Sequence, residues 1–167
     1  MPTLILTRHA KSDWTDLNLS DHARPLNDRG LAAAPLIGRA LAERGLIPDQ
    51  VFCSSAVRTR QTWEGIASAL PEAPEAEIVK ALYHASPDIM LDVLHRATGS
   101  CVALISHNPG IAMFANALVA KAPAHPRFAH FPTGATLIAE VEDWANLAPG
   151  TATAVEFFVP RELVGHP

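Results

Sequence analysis

Apolar positions fall along this chain in two kinds of run. Short unbroken runs, "TLILT" at 3–7, "DQVFCSS" at 49–55 and "CVALIS" at 101–106, read as strands covered on both faces. Longer stretches carry apolar residues at helical spacing. Asn27 is placed to cap a helix running to about Arg44, with Leu31, Ala34, Gly38 and Leu41 on its inner face and Gly45 as its stop. Pro35 lies inside that helix and is expected to kink or displace one turn. In "VRTRQTWEGIASAL", Trp63, Ile66, Ala67 and Leu70 share a face. A strand is expected near Glu77–Leu82. A helix capped by Ser86, with Pro87 at its first position, then buries Ile89, Met90, Val93, Leu94 and Ala97. Another helix, after "HNPG", is faced by Ile111, Phe114, Leu118 and Val119, and "ATLIAEV" and "TAVEFFV" complete six strands. Strands alternating with helices imply a three-layer α/β/α domain with a mostly parallel sheet.

Composition narrows this picture. The 167 residues fit one domain spanning 1–167, and 49% hydrophobic content supplies a sizeable core. A net charge of −4 argues against a nucleic-acid binder, while local arginines leave anionic substrates open. The cysteines, Cys53 and Cys101, fall in expected strands and read as small buried hydrophobes, not a disulfide or a metal pair. No apolar run approaches the roughly 20 residues of a membrane span, and the N-terminal run is cut by Arg8, so the expectation is a cytoplasmic protein without a membrane partner.

Three strand ends carry residues that a core does not need. The first runs directly into Arg8-His9. The second ends in Ser54-Ser55, with Arg58 at the start of the next helix. The fourth ends in Ser106-His107-Asn108-Pro109-Gly110. In α/β sheets, ligands bind beyond the carboxyl ends of the strands. Two arginines and a helix start, with Asn108 as its cap and Pro109 at its first position, around two histidines make an oxyanion site of phosphate type. A neutral histidine ring can attack phosphorus and become phosphohistidine, and a second, charged histidine can stabilise the transferring oxygens. The bland alternatives are that Arg58 and Arg60 form a solvated helix face, that Ser54 and Ser55 only cap a helix, and that Arg24 anchors a loop. His22, His84, His95, His125, His130 and His166 read as surface residues. A metal held by His9 and His107 lacks a carboxylate or cysteine ligand at either strand end, and arginine neighbours would repel a cation, so no metal or cofactor is expected.

These stretches resemble a known family. "LTRHAKS" is similar to the Arg-His signature of the histidine phosphatase superfamily, with its phosphoglycerate-mutase-like fold. "CSSAVRTRQT" resembles its Ser-x-x-x-Arg-x-x-x-Thr segment, and "LISHNPGI" its second-histidine motif. "RPLNDRG" and "LYHASPDIML" resemble the branch of SixA-like phosphohistidine phosphatases, and the likeness runs in motif order from about Leu4 to Val119. The resemblance implies a six-stranded sheet with one antiparallel strand, its first and fourth strands adjacent. It implies His9 as the phosphorylated nucleophile, Arg8 and Arg58 as phosphate-binding arginines, His107 as the second catalytic histidine, and Arg24 as a further phosphate contact. The departure is an acid: mutase-like members usually supply a glutamate after the third strand, where this chain has Leu82, Tyr83, His84 and Ala85. Asp13 or His84 are the substitutes in view. Without a long insertion to act as a cap, a shallow, open site is expected. The implied activity is removal of phosphate from phosphohistidine on a protein partner, such as a phosphotransfer domain. A small-molecule phosphomonoesterase and a phosphoprotein-binding module without turnover are the rivals.

Overall fold

The computed structural model describes residues 1–163. Six strands form one sheet: β1 (Thr3–Arg8), β2 (Gln50–Ser54), β3 (Glu77–Val79), β4 (Cys101–Ser106), β5 (Thr136–Glu140) and β6 (Thr153–Phe158). Their order is β3-β2-β4-β1-β5-β6. β1 pairs in parallel with β4, and β4 and β3 each pair in parallel with β2. β5 is antiparallel to both of its neighbours, so it is the single strand of opposite sense.

Alternation along β1 splits the core in two. Leu4 and Leu6 face one side with Phe52, Met90, Leu104 and Phe114; Ile5 faces the other with Ile37, Val51, Trp63 and Ile66. Helices α1 (Asp28–Glu43) and α2 (Val57–Ser68) cover the second side, α3 (Pro87–His95) and α4 (Gly110–Leu118) the first. This is the expected three-layer α/β/α fold. Among the described residues no helix is long and apolar enough to cross a membrane.

Several local expectations need correcting. α1 runs through Pro35 as one helix from its Asn27 cap, whose side chain accepts from Gly30 N. Leu31 is 49% exposed, because the buried stripe is centred on Gly30, Ala34, Ile37 and Leu41 and Leu31 sits at its edge. Ile89 is likewise at the rim of α3, and Cys101 is only half-buried. The third strand stops at Val79 because its pairing with β2 ends where β2 ends, at Ser54; Lys80–Leu82 form a 3-10 turn. The α4 helix begins at Gly110, one residue later than expected. Asn108 still supplies the capping bond: its Oδ1 accepts from Ala112 N at 3.2 Å.

α1 and α2 pack tightly at Gly38. A β-carbon built there would lie 2.2 Å from the backbone oxygen of Ile66. Gly38→Ala therefore sets an Ala-over-Gly helix preference of about 1 kcal/mol against overpacking of about 1–3 kcal/mol on a backbone atom that cannot swing aside. The expected result is net destabilisation in urea unfolding, since α2 must shift. A variant as stable as the parent or more so contradicts this packing.

Candidate active site

In the β1–β4 register Arg8 lies opposite Ser106, so the next residues, His9 and His107, emerge side by side. Their ring centroids are 5.3 Å apart. β2 lies on the other side of β4, and Ser54 Oγ is 2.7 Å from His107 Nε2. The three strand ends thus converge on one pocket, lined by Arg8, His9, Arg24, Arg58 and His107 together with Asp21 and His84.

The turn after β1 is held from two directions. Gly134 N donates to the carbonyls of Arg8 and His9, at 3.2 and 2.9 Å. Ala10 N donates to Thr62 Oγ1 at 3.0 Å, and that hydroxyl donates to the Arg58 carbonyl at 2.7 Å. Thr62 therefore ties the turn bearing His9 to the helix bearing Arg58, a physical reason for a threonine one helical turn after the arginine. His9 Nδ1 lies 2.7 Å from the Ala10 carbonyl. A carbonyl only accepts, so Nδ1 carries the hydrogen and Nε2 keeps its lone pair.

Both rings are held neutral. Burial pushes His9 down to about 3; the Ala10 hydrogen bond opposes this, and the charges of Arg8, Arg58 and Arg24 reinforce it. Burial pushes His107 down to about 2, helped by His9, Arg58 and His84 and opposed by Asp21. The expectation of a charged second histidine is not met in the free site: a ring this buried beside arginines does not hold a proton near neutrality.

All three arginines named from the sequence reach the pocket. Arg58 is 2% exposed, which excludes the solvated-face reading for it, whereas Arg60 is exposed. Arg8 Nη1 donates to the Phe131 carbonyl at 3.2 Å. Arg24 stacks over Trp14, 3.6 Å from its centroid. Among the described residues, the buried side-chain polar atoms without a protein partner are Arg8 Nε, Arg24 Nε, Arg58 Nε and His107 Nδ1. All four belong to residues lining this pocket. Buried polar groups are normally satisfied, so four orphans in one place point to a ligand with acceptor oxygens. The N-terminus of α4 contributes less than expected: the N–H groups of Ile111 and Ala112 are bonded to the His107 carbonyl and to Asn108.

Two expectations about acids and depth change. Asp13 is half-buried, its carboxylate is bonded to Thr15, and it is not among the residues that line the pocket. The carboxylate that does line the pocket is Asp21, from the polar loop between β1 and α1, which sequence patterning treated only as a loop. Its spacing of three from Arg24 was the available signal. Nor is the site shallow, for His9 is 6% exposed, beneath a rim formed by Trp14, Asp21 and His84. His84, read as a surface residue or stand-in acid, is on this rim; Tyr83 stacks on it, centroids 4.1 Å apart, and lies edge-on to His107. His22 sits one layer back, 3.0 Å from Ser55 Oγ. His95 and His125 are bonded far from the pocket, His130 is exposed, and His166 lies outside the described residues. No group of three or more His, Cys, Asp or Glu residues is arranged to hold a metal among the described residues.

Comparison with known proteins agrees with this fold. Residues 4–83 match the model of the histidine phosphatase superfamily (branch 1). An uncharacterised protein of Mycobacterium tuberculosis is 34% identical over 162 residues, spanning 92% of this chain and 99% of its own length. A candidate phosphohistidine phosphatase SixA from Nakamurella multipartitia superposes with a TM-score of 0.80 at 29% identity, covering 95% of this chain and 96% of that one. The protein histidine phosphatase SixA complexed with tungstate shares the fold, with a TM-score of 0.80 at 22% identity over 96% of this chain and 99% of that one. With full-length relatives, signature motifs and fold in agreement, this chain belongs to the histidine phosphatase superfamily, as a phosphatase of its SixA-like branch.

Proposed function

We propose that this phosphatase removes phosphate from phosphohistidine on a protein partner, through a phosphohistidine intermediate on His9 and without a metal. The observation that carries the reading is the set of four orphaned buried atoms around two neutral histidines. Three guanidinium groups supply the positive charge that phosphoryl transfer requires, in the planar form that suits phosphate oxygens. A protein histidine phosphatase that shares this fold is complexed with tungstate, a tetrahedral oxyanion, which supports a phosphate-shaped ligand for the present chain.

His9 Nε2 attacks phosphorus with its lone pair as the P–N bond to the substrate ring breaks, and the bonding pair stays on the leaving nitrogen. Arg8, Arg58 and Arg24 hold the phosphoryl oxygens. Ser54 Oγ lies 2.7 Å from His107 Nε2; with the hydroxyl as donor, the neutral ring carries its hydrogen on Nδ1, where it meets a phosphoryl oxygen. Water then attacks the phosphorus on His9 and releases inorganic phosphate. An imidazole ring, with a pKa of about 6.5, can take a proton from solvent near neutrality and depart as a neutral molecule, whereas an alkoxide needs a proton from an acid. The absence of a carboxylic acid after β3 therefore favours phosphohistidine over phosphate esters.

The test is a substrate panel. A phosphohistidine protein is expected to exceed a phosphoserine peptide and small phosphate esters in kcat/KM, and activity is expected to survive EDTA. Equal cleavage of a small ester would instead favour a small-molecule phosphomonoesterase. Independently, ring resonances of His9 and His107 followed by NMR are expected to titrate at about 3 and 2, so both rings stay neutral from pH 8 to pH 5. Because the unfolded rings take up protons at about 6.5, the unfolded state binds more protons between that value and the folded midpoints, and stability falls as pH drops through this window. A midpoint near 6.5 in the folded protein contradicts the assignment of a buried neutral nucleophile.

A further inference from the structure

Asp21 is the only carboxylate lining the site among the described residues. Its Oδ1 accepts from Arg24 Nη1 and Nη2 at 3.1 and 2.9 Å, and its Oδ2 from Arg58 Nη2 at 3.0 Å. The Tyr83 hydroxyl donates to Oδ2 at 2.5 Å, and His84 Nε2 lies 3.2 Å from the same oxygen. His84 is held there with a φ of +52°, in the left-handed region that side chains disfavour. Three separate segments thus converge to fix one negative charge inside a pocket built for anions.

Its place matters for the reaction. Phosphoryl transfer is in line, so the leaving group stands opposite the nucleophile. His9 is buried at the base of the pocket, and the leaving group therefore faces the open rim. Asp21, with 41% of its side chain exposed, is on that rim beside the exposed His84. Against this one carboxylate the pocket carries three guanidinium groups and Lys11, so Asp21 is the single negative charge in a lining with three positive charges in excess, a lining suited to an anionic phosphoryl group.

We propose that Asp21 is a specificity-determining residue: its fixed negative charge favours a phosphoryl group carried on a protonated nitrogen ring and disfavours leaving groups that carry or develop negative charge. The inference rests on the phosphohistidine reading above. A phosphoimidazole ring protonated on its far nitrogen is attracted by the carboxylate. When His9 Nε2 forms its bond to phosphorus, the pair from the broken P–N bond returns to the ring, which leaves neutral with the proton it brought. An ester in the same place releases its pair onto oxygen, next to Asp21. Burial pushes the Asp21 carboxyl up, but the hydrogen bonds from Tyr83 and Arg58 and the charges of Arg58 and Arg24 outweigh this and hold it at about 2. It has no proton to give an alkoxide near neutrality.

The experiment compares phosphoimidazole with p-nitrophenyl phosphate, whose leaving group is a phenolate, in wild type, Asp21→Asn and Asp21→Glu. Asp21→Asn is expected to lose about tenfold or more in kcat/KM on phosphoimidazole while p-nitrophenyl phosphate changes by less than about threefold or improves. Asp21→Glu keeps the charge and is expected to keep the wild-type preference. Tungstate inhibition reports the phosphate pocket itself: freed of the carboxylate, Asp21→Asn is expected to bind tungstate at least as tightly as wild type. Equal losses on both substrates together with weakened tungstate binding would mean that Asp21 only holds the arginines in place, and would overturn the inference. A wild-type preference for phosphoimidazole that survives Asp21→Asn overturns the inference alone. A wild type with no such preference overturns the phosphohistidine reading and this inference together.

Discussion

The parallel register of β1 on β4 decides where each candidate reacting group stands. With Arg8 opposite Ser106, His9 and His107 cannot avoid each other, and β2 on the far side of β4 brings Ser54 to the second ring. A shift of one residue would turn His9 to the other face of the sheet. The register is fixed by burial: Leu4 and Leu6 belong to one hydrophobic layer and Ile5 to the other, so a slip would exchange the layers. The hydrophobic core and the chemistry are therefore specified by the same alternation along six residues.

Around that frame, electrostatics is arranged against the protein's own comfort. Arg8, Arg24 and Arg58 crowd one pocket, and burial with mutual repulsion holds Arg8 and Arg24 below the usual arginine range. Clustering like charges in a desolvated pocket costs stability, a cost that an anionic ligand relieves. Asp21 relieves part of it in the free protein. Burial first, and the same arginine charges after it, keep His9 unprotonated, so its lone pair stays available in the pocket where the arginines would hold a phosphoryl group.

Much of this was legible in the sequence because it depended on local order. An arginine and a histidine directly after a short apolar run mark the end of a buried strand. "ISHNPG" carries the same signal, and "RTRQT" places an arginine one helical turn before a threonine. Parts that depend on long-range approach were not legible. Asp21 lies in a polar loop without periodicity, and only the folded path of that loop brings it to Arg58 and Tyr83. His84 stood at the place of the missing acid, but its approach to Asp21 depends on where the chain goes after β3. The protonation of His107 was misjudged for the same reason: its burial is a property of the assembled pocket, not of the residues beside it. Leu31 and Ile89 fell on the edges of their helical stripes, where periodicity alone does not separate buried from exposed.

The central claim is that His9 Nε2 becomes bonded to phosphorus, and trapping that bond tests it most directly. Rapid quenching during turnover of a radiolabelled phosphohistidine protein is expected to yield a phosphoenzyme that is labile in acid and stable in base, with the label on His9 and none on the His9→Ala variant. Normal trapping in His9→Ala, or a label found on another side chain, would contradict the account.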